Sequence, residues 1–318
     1  MTTNSLNGGA SAPLVSIVMP VYNVEPYLPT GIDSVLSQTM KDFELIIVED
    51  CSTDGSLAVC ERYAVHPRVR LIRNERNYGL GLSRNLGMKA ARGKYIYFFD
   101  SDDAIVPGAL ELLVQAIEET GADIVHSSVY YDPKNHEFKT GISTDVECKG
   151  ELTELEGFLP QDLEERLEEE YFSNRFGPPV WLNLYRRAFL EETELLFTQA
   201  PIGEDMIFTP ACLCKTGRIF RIRKPFYLYR QREGSLMHLA SEAAFQRCKR
   251  SLSSGTKYLH HTLREELPRP LFDRLMKTYV DRTFRVYIYP YFQQFPDLTE
   301  EQAREMMADL LGSARQDN

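Results

Sequence analysis

The 318-residue chain contains no apolar run of the roughly 18 residues that a membrane-spanning helix requires, so no such helix is expected. Its first residues, MTTNSLNGGASA, lack the basic start and apolar stretch of a secretory signal, and residues 1–12 read as a disordered lead-in. A cytoplasmic location is the resulting expectation. The six cysteines (Cys51, Cys60, Cys148, Cys212, Cys214 and Cys248) include no CxxC pair, which argues against a zinc knuckle or a disulfide framework. Basic charge is scarce. Lys and Arg number 36 against 46 Asp and Glu, a net charge of −10 that argues against a nucleic-acid partner. Internal repeats and low-complexity tracts are also lacking. The remainder is ordinary for a globular protein, with 43% apolar and 26% charged residues. The length suits one large α/β domain, or one domain with a smaller appendage.

The first 130 residues alternate between two patterns. Apolar runs at Val15–Met19, Phe43–Val48, Val69–Ile72, Tyr95–Phe99 and Ile124–Val125 are short and rich in β-branched and aromatic residues, as buried parallel strands are. Helical segments lie between them at about 26–39, 55–65, 80–91 and 107–120; the last runs from Pro107 to Gly121, fitting start and stop chemistry. This β-α-β alternation predicts a doubly wound, mainly parallel sheet flanked by helices. Further on, Phe138–Cys148 suits a hairpin, 153–170 an acidic helix, Val180–Tyr185 an ordered apolar run, 204–215 a helix and Phe226–Tyr229 a strand. Beyond 240 the pattern is helical: Phe245, Cys248, Leu252, Leu259, Leu263 and Leu267 form one stripe, and Phe272, Leu275, Met276, Tyr279 and Val280 begin another.

Ligands of such sheets bind beyond the carboxyl ends of the strands. The tips here read Pro20-Val21-Tyr22-Asn23, Glu49-Asp50-Cys51-Ser52-Thr53-Asp54 and Asp100-Ser101-Asp102-Asp103. Three carboxylates within four residues repel one another unless a cation neutralises them, and their hard oxygens suit Mg²⁺ or Mn²⁺ shared with substrate phosphates. At the second tip, Asp50 is the expected ligand for a base N–H or a ribose hydroxyl, while Asp54 suits the start of the next helix. Asn77–Gly87 contains a lone GxG after the third strand, too weak and misplaced for a dinucleotide fingerprint. Arg84 in that stretch could serve either a phosphate or a surface ion pair. Glu204-Asp205 opens a helix, where acids are favourable in any case; the alternative is a general base for an acceptor hydroxyl. Arg230, Arg232 and Ser235 suit a diphosphate, and His238 is a further candidate metal ligand.

Together these residues resemble the inverting family 2 glycosyltransferases of GT-A fold. The resemblance rests on Ser16–Asn23, Val48–Ser56, Ser83–Gly87, Asp100–Asp103, Val180-Trp181 with Leu184–Arg187, and Glu204-Asp205. It covers about 13–235, with a nucleotide-binding half at about 13–130 and an acceptor half at about 131–235, followed by a helical region at 236–318. It implies a nucleotide-sugar donor, UDP-linked by preference, and a saccharide, lipid-linked or polymer acceptor in cell-surface polysaccharide or glycoconjugate synthesis. It further implies that Pro20, Tyr22, Asn23, Glu49, Asp50, Arg84, Asp100, Ser101, Arg230 and Ser235 line the donor. Asp102 would be the leading metal ligand, with Asp103 and His238 beside it, and Asp205 the base with Glu204 as its neighbour. Glu49 and Cys51 stand where the family usually has Asp and Gly.

A sugar-phosphate nucleotidyltransferase would carry a Gly-rich first loop, and Pro20-Val21-Tyr22-Asn23 replaces it. A silent binding protein of the same fold would have lost its acids, and here they remain. The helical tail has three uses open to it: covering the acceptor, forming a homodimer, or resting on the inner face of a membrane. Arg282, Arg285, Tyr287, Tyr289 and Tyr291 mix basic and aromatic groups as a membrane interface does, although ordinary packing explains them as well.

Overall fold

The computed structural model describes residues 12–127, 157–230, 242–293 and 299–302. β1 (Val15–Val21), α1 (Leu28–Leu36), β2 (Phe43–Glu49), α2 (Ser56–Tyr63), β3 (Val69–Arg73), α3 (Leu80–Ala90) and β4 (Tyr95–Phe98) alternate as expected. Then come β5 (Ala104–Ile105), α4 (Ala109–Thr120), β6 (Ile124–Ser127), β7 (Gly157–Phe158), α5 (Leu163–Arg166), β8 (Asn183–Arg186), α6 (Arg187–Glu192), α7 (Asp205–Lys215), β9 (Ile219–Ile222) and β10 (Tyr227–Leu228). Helices α8 (Glu242–Leu263) and α9 (Arg269–Thr283), a π-helical turn Phe284–Ile288 and a short α10 (Tyr289–Phe292) follow.

The main sheet has eight strands in the order β3-β2-β1-β4-β8-β6-β9-β7. β1 runs parallel to β2 and to β4, so the chain reverses its winding between them and leaves a crevice at their carboxyl ends. β1 and β2 are buried along their whole length, which is why they read as nearly unbroken apolar runs. Ser16, Glu44 and Glu49 are the polar exceptions, and Ser16 hydrogen-bonds to Glu44 at 2.7 Å. β8 is antiparallel to both β4 and β6, so the Val180–Tyr185 run divides into a 3-10 turn and a reversed strand. β9 was not expected: its four residues are flanked by Arg218 and Arg223 and contain Arg221, which hides the apolar alternation. Of the acidic stretch 153–170, residues 157–158 form β7 and the helix begins only at Leu163, continuing as a π-helical turn to Phe172. The hairpin expected at Phe138–Cys148 lies outside the described residues.

Side-chain alternation sends Ile17, Met19, Leu45 and Ile47 to one face, against α1, α2 and α4. Val18, Ile96 and Phe98 face the other way, into a core completed by α7, α8 and α9. The expected stripe from Phe245 to Leu267 is buried there. Thus the helical region is no separate body: Leu252, Leu275 and Tyr279 share a core with the sheet. Part of its basic-aromatic segment packs inward, while Arg285 and Val286 stay exposed. Tyr287 is 7% exposed, Tyr291 stacks on Phe245 at 4.7 Å, and the Arg282 guanidinium lies 4.4 Å from the Tyr171 ring. Among the described residues no helix is long and apolar enough to cross a membrane.

Candidate active site

The three acidic and polar tips meet as the topology requires, but many of their side chains hold the scaffold. Asn23 accepts from the Thr53 N–H at 2.8 Å and its own N–H donates to Ser52 Oγ at 3.2 Å, tying the first tip to the second. Glu49 is buried and accepts from the Ser52 N–H at 2.6 Å, closing its own loop. Pro20 lies within β1, buried opposite Val48. Both side chains thus have a place in the scaffold, Glu49 in its own loop and Pro20 in the sheet. Tyr22, 45% exposed at the strand tip, is open to a ligand.

Asp50 organises the loop before α3. Its Oδ1 accepts from Asn74 Nδ2 at 2.6 Å and the Tyr78 N–H at 2.8 Å, and its Oδ2 from the Gly79 N–H at 2.8 Å. A carboxylate can accept about four hydrogen bonds, so three internal donors leave room for one more. Asp54 accepts from the Ser56 and Glu25 N–H groups; burial weighs against its charge, but these hydrogen bonds hold its pKa below the ordinary value. It is structural, as expected. Cys51 has φ +58°, in the left-handed region where glycine is at ease, and its Sγ lies 3.1 Å from the Asn74 carbonyl oxygen. The loop therefore keeps a glycine-like shape and adds a thiol contact.

The acid run after β4 splits by direction. Asp103 is 1% exposed: its Oδ2 accepts from the Tyr227 hydroxyl and its Oδ1 from the Arg230 N–H, both at 2.7 Å. Burial, then the negative charges of Asp102 and Asp100, push its carboxyl well above the ordinary range. Asp103 thus fastens the run to the segment after β10. Ser101 is likewise buried. Asp102 stays partly exposed, and its carbonyl accepts from Arg230 Nε at 2.9 Å. The Arg230 guanidinium, 4.9 Å from the Tyr27 ring, therefore lies beside the acid run, and burial lowers its pKa. Gly31 in α1 permits the close approach of this loop: a Cβ there would come within 2.8 Å of the Ser101 carbonyl oxygen. A glycine inside a helix is the one sequence signal of that contact.

Arg84 is not on the surface but 2% exposed beneath the crevice. One arm pairs with Asp100 at 2.6 Å, the other with Glu204, and the guanidinium lies 5.3 Å from the Phe197 ring. Gly81 makes the approach possible, since a Cβ there would lie 2.4 Å from the Thr198 carbonyl oxygen. Glu204 is thereby committed to Arg84, and Asp205 alone of the pair is partly exposed at the start of α7. Burial, then the adjacent Glu204 charge, raises the Asp205 carboxyl to about 8 against the opposing pull of Arg84. Burial likewise raises Asp100, again opposed by Arg84.

Among the described residues no three ligand-type side chains are grouped closely enough to cage a metal. The arrangement fits an ion held by one or two carboxylates and completed by phosphate oxygens, the usual magnesium pattern. Ser235 and His238 lie outside the described residues.

Comparison with known proteins agrees with this architecture. The glycosyl transferase family 2 profile matches residues 16–193. The chain is 35% identical over 234 residues to the uncharacterized glycosyltransferase EpsJ of Bacillus subtilis, covering 73% of this chain and 65% of that protein. It is 33% identical over 226 residues to the succinoglycan biosynthesis protein ExoO of Rhizobium meliloti, covering 70% of this chain and 62% of the relative. The chain thus spans under two thirds of either relative's length. In fold it is similar to S. aureus TarS 1–349 in complex with UDP-GlcNAc, with a TM-score of 0.69 and 21% identity over 94% of this chain and 80% of that one. The chain belongs to glycosyl transferase family 2, and its mainly parallel, helix-flanked sheet is a GT-A-type fold.

Proposed function

We propose that the protein is an inverting glycosyltransferase that moves a sugar from a nucleoside diphosphate sugar to an acceptor hydroxyl in polysaccharide or glycoconjugate synthesis. The observation that carries this reading is the Arg84 bridge, which ties Asp100 at the donor crevice to Glu204 beside Asp205. In this reading the bridge holds the donor site and the base on one unit. The similar fold of TarS, which is known in complex with UDP-GlcNAc, supports a uridine diphosphate carrier. The name of ExoO favours a polysaccharide product.

In this reading Tyr22 and the remaining acceptor position of Asp50 receive the base, and Asp100 lies near the ribose. Asp102 would hold Mg²⁺ or Mn²⁺ with the diphosphate; the ion would stabilise negative charge on the departing group. Arg230 adds a fixed positive charge beside that run. Asp205 takes the proton of the acceptor hydroxyl while its oxygen attacks the anomeric carbon from the face opposite the diphosphate. The C–O bond to the diphosphate breaks as the new one forms, with no sugar held on the enzyme. A carboxyl raised to about 8 suits this task, because basicity near the working pH is what proton abstraction needs.

Incubating purified protein with a panel of nucleotide sugars, with Mn²⁺, Mg²⁺ or EDTA, and detecting products by mass tests the proposal. Metal-dependent release of a nucleoside diphosphate from one donor class supports it. Absence of turnover and of nucleotide binding across the panel would overturn it.

A further inference from the structure

The turn that carries Asp205 is completed by a residue far along the chain. Both lie beyond residue 193, where the family match ends, and Tyr287 comes from the π-helical turn after α9. Its ring lies against Gly203, where a Cβ would come within 2.8 Å of Cε2, 3.1 Å of Cζ and 3.2 Å of the hydroxyl oxygen. Gly203 has φ +69°, a conformation that glycine adopts readily, so the turn before Glu204 is shaped to receive the ring. Behind the ring, the Tyr287 carbonyl accepts from Cys248 Sγ at 3.2 Å, fixing the turn to α8.

Tyr287 is 7% exposed, and its hydroxyl is not one of the fully buried side-chain atoms left without a partner, so it keeps access to a ligand or water. Packing alone would be served as well by phenylalanine. Burial first, then the negative charges of Asp205 and Glu204, hold the phenol well above its ordinary pKa, so it stays a protonated donor. Its neighbours are the α7 carboxylates and Tyr229, placing it on the side of the proposed base.

We infer that Tyr287 is an acceptor-binding residue, whose hydroxyl donates a hydrogen bond to an oxygen of the acceptor sugar while Asp205 receives the proton of the attacking hydroxyl. The inference rests on the glycosyltransferase reading. It gives the C-terminal helices a part in the site: they supply one wall of the acceptor pocket.

Tyr287→Phe keeps the ring on Gly203 and removes only the hydroxyl. The full chain is assayed with the nucleotide sugar it hydrolyses, first with water as acceptor and then with a panel of p-nitrophenyl monosaccharides. The expected result is a rise of about tenfold in acceptor KM, the size of one lost hydrogen bond. Donor KM and the rate of donor hydrolysis stay within about twofold of wild type, a split that a general structural defect would not produce. Unchanged acceptor kinetics, or hydrolysis falling in parallel with transfer, would overturn the inference. Wild-type protein that neither hydrolyses nor transfers would instead contradict the function on which it rests.

Discussion

Arg84 and Glu204 lie 120 residues apart in the chain and form a buried ion pair, while the other arm of the same guanidinium holds Asp100 at 2.6 Å. This joins α3, the tip of β4 and the start of α7. Such a pair need not add much stability over an apolar replacement, but breaking it leaves uncompensated charge inside the protein. Its value here is geometric: it fixes which carboxylate of the Glu204-Asp205 pair faces the crevice.

Arg84→Gln should therefore destabilise the fold by about 3–5 kcal/mol, because two acids lose their partner. Arg84→Lys keeps the charge without the fork and should fall between the two. Urea denaturation checks the ordering. A glutamine variant within about 1 kcal/mol of wild type would contradict the buried bridge.

Neighbouring acids should behave in opposite ways. Asp102→Asn should weaken metal-dependent nucleotide binding at least tenfold with little change in stability. Asp103→Ala removes the acceptor of the Tyr227 hydroxyl and the Arg230 N–H, and should cost about 1–3 kcal/mol of stability. Calorimetry with Mn²⁺ and a nucleoside diphosphate, alongside thermal melts, separates the two.

Asp205 links stability and activity to pH in opposite directions. Its folded pKa, about 8, exceeds the ordinary 3.8, so between these values the native state binds a proton that the unfolded chain has lost. Its contribution to stability is thus full below about 4 and declines as pH rises to about 8. The rate needs the ionised form, so kcat/KM should rise with pH over the same window and level off near 8. Asp205→Asn should flatten the stability slope, and paired pH series of melting and kcat/KM check both signs.

Cys51 carries the cost of a side chain at φ +58°. Cys51→Ala keeps that cost and loses the thiol contact, whereas Cys51→Gly relieves it. Glycine should therefore be more stable than alanine by about 1 kcal/mol, measured by denaturation midpoint. The reverse order would show that the loop does not need its left-handed residue.

The parallel half of the sheet was legible because β1, β2 and β4 are buried on both faces and so are almost wholly apolar. The strand tips followed from topology. Side-chain direction did not. Asp102 and Asp103 differ by one position, and the turn that sends one outward and the other to Tyr227 depends on a partner 124 residues away. For Arg84 the sequence left a phosphate contact and a surface ion pair equally open, because its two acids come from distant parts of the chain. Its local clue was the close glycine spacing at Gly81 and Gly87, where Cβ atoms would strike Thr198 and Val18. β9 was masked by its arginines, and Tyr287 by an aromatic-basic run that suits a membrane as readily as a core.

The assignment of Asp205 as base is tested most directly by Asp205→Asn, comparing sugar transfer with donor binding in the same preparation. The account predicts that transfer falls at least a thousandfold, within the range of general acid–base catalysis, while the nucleotide sugar binds within about threefold of wild type. Transfer at wild-type rates with intact binding would contradict it.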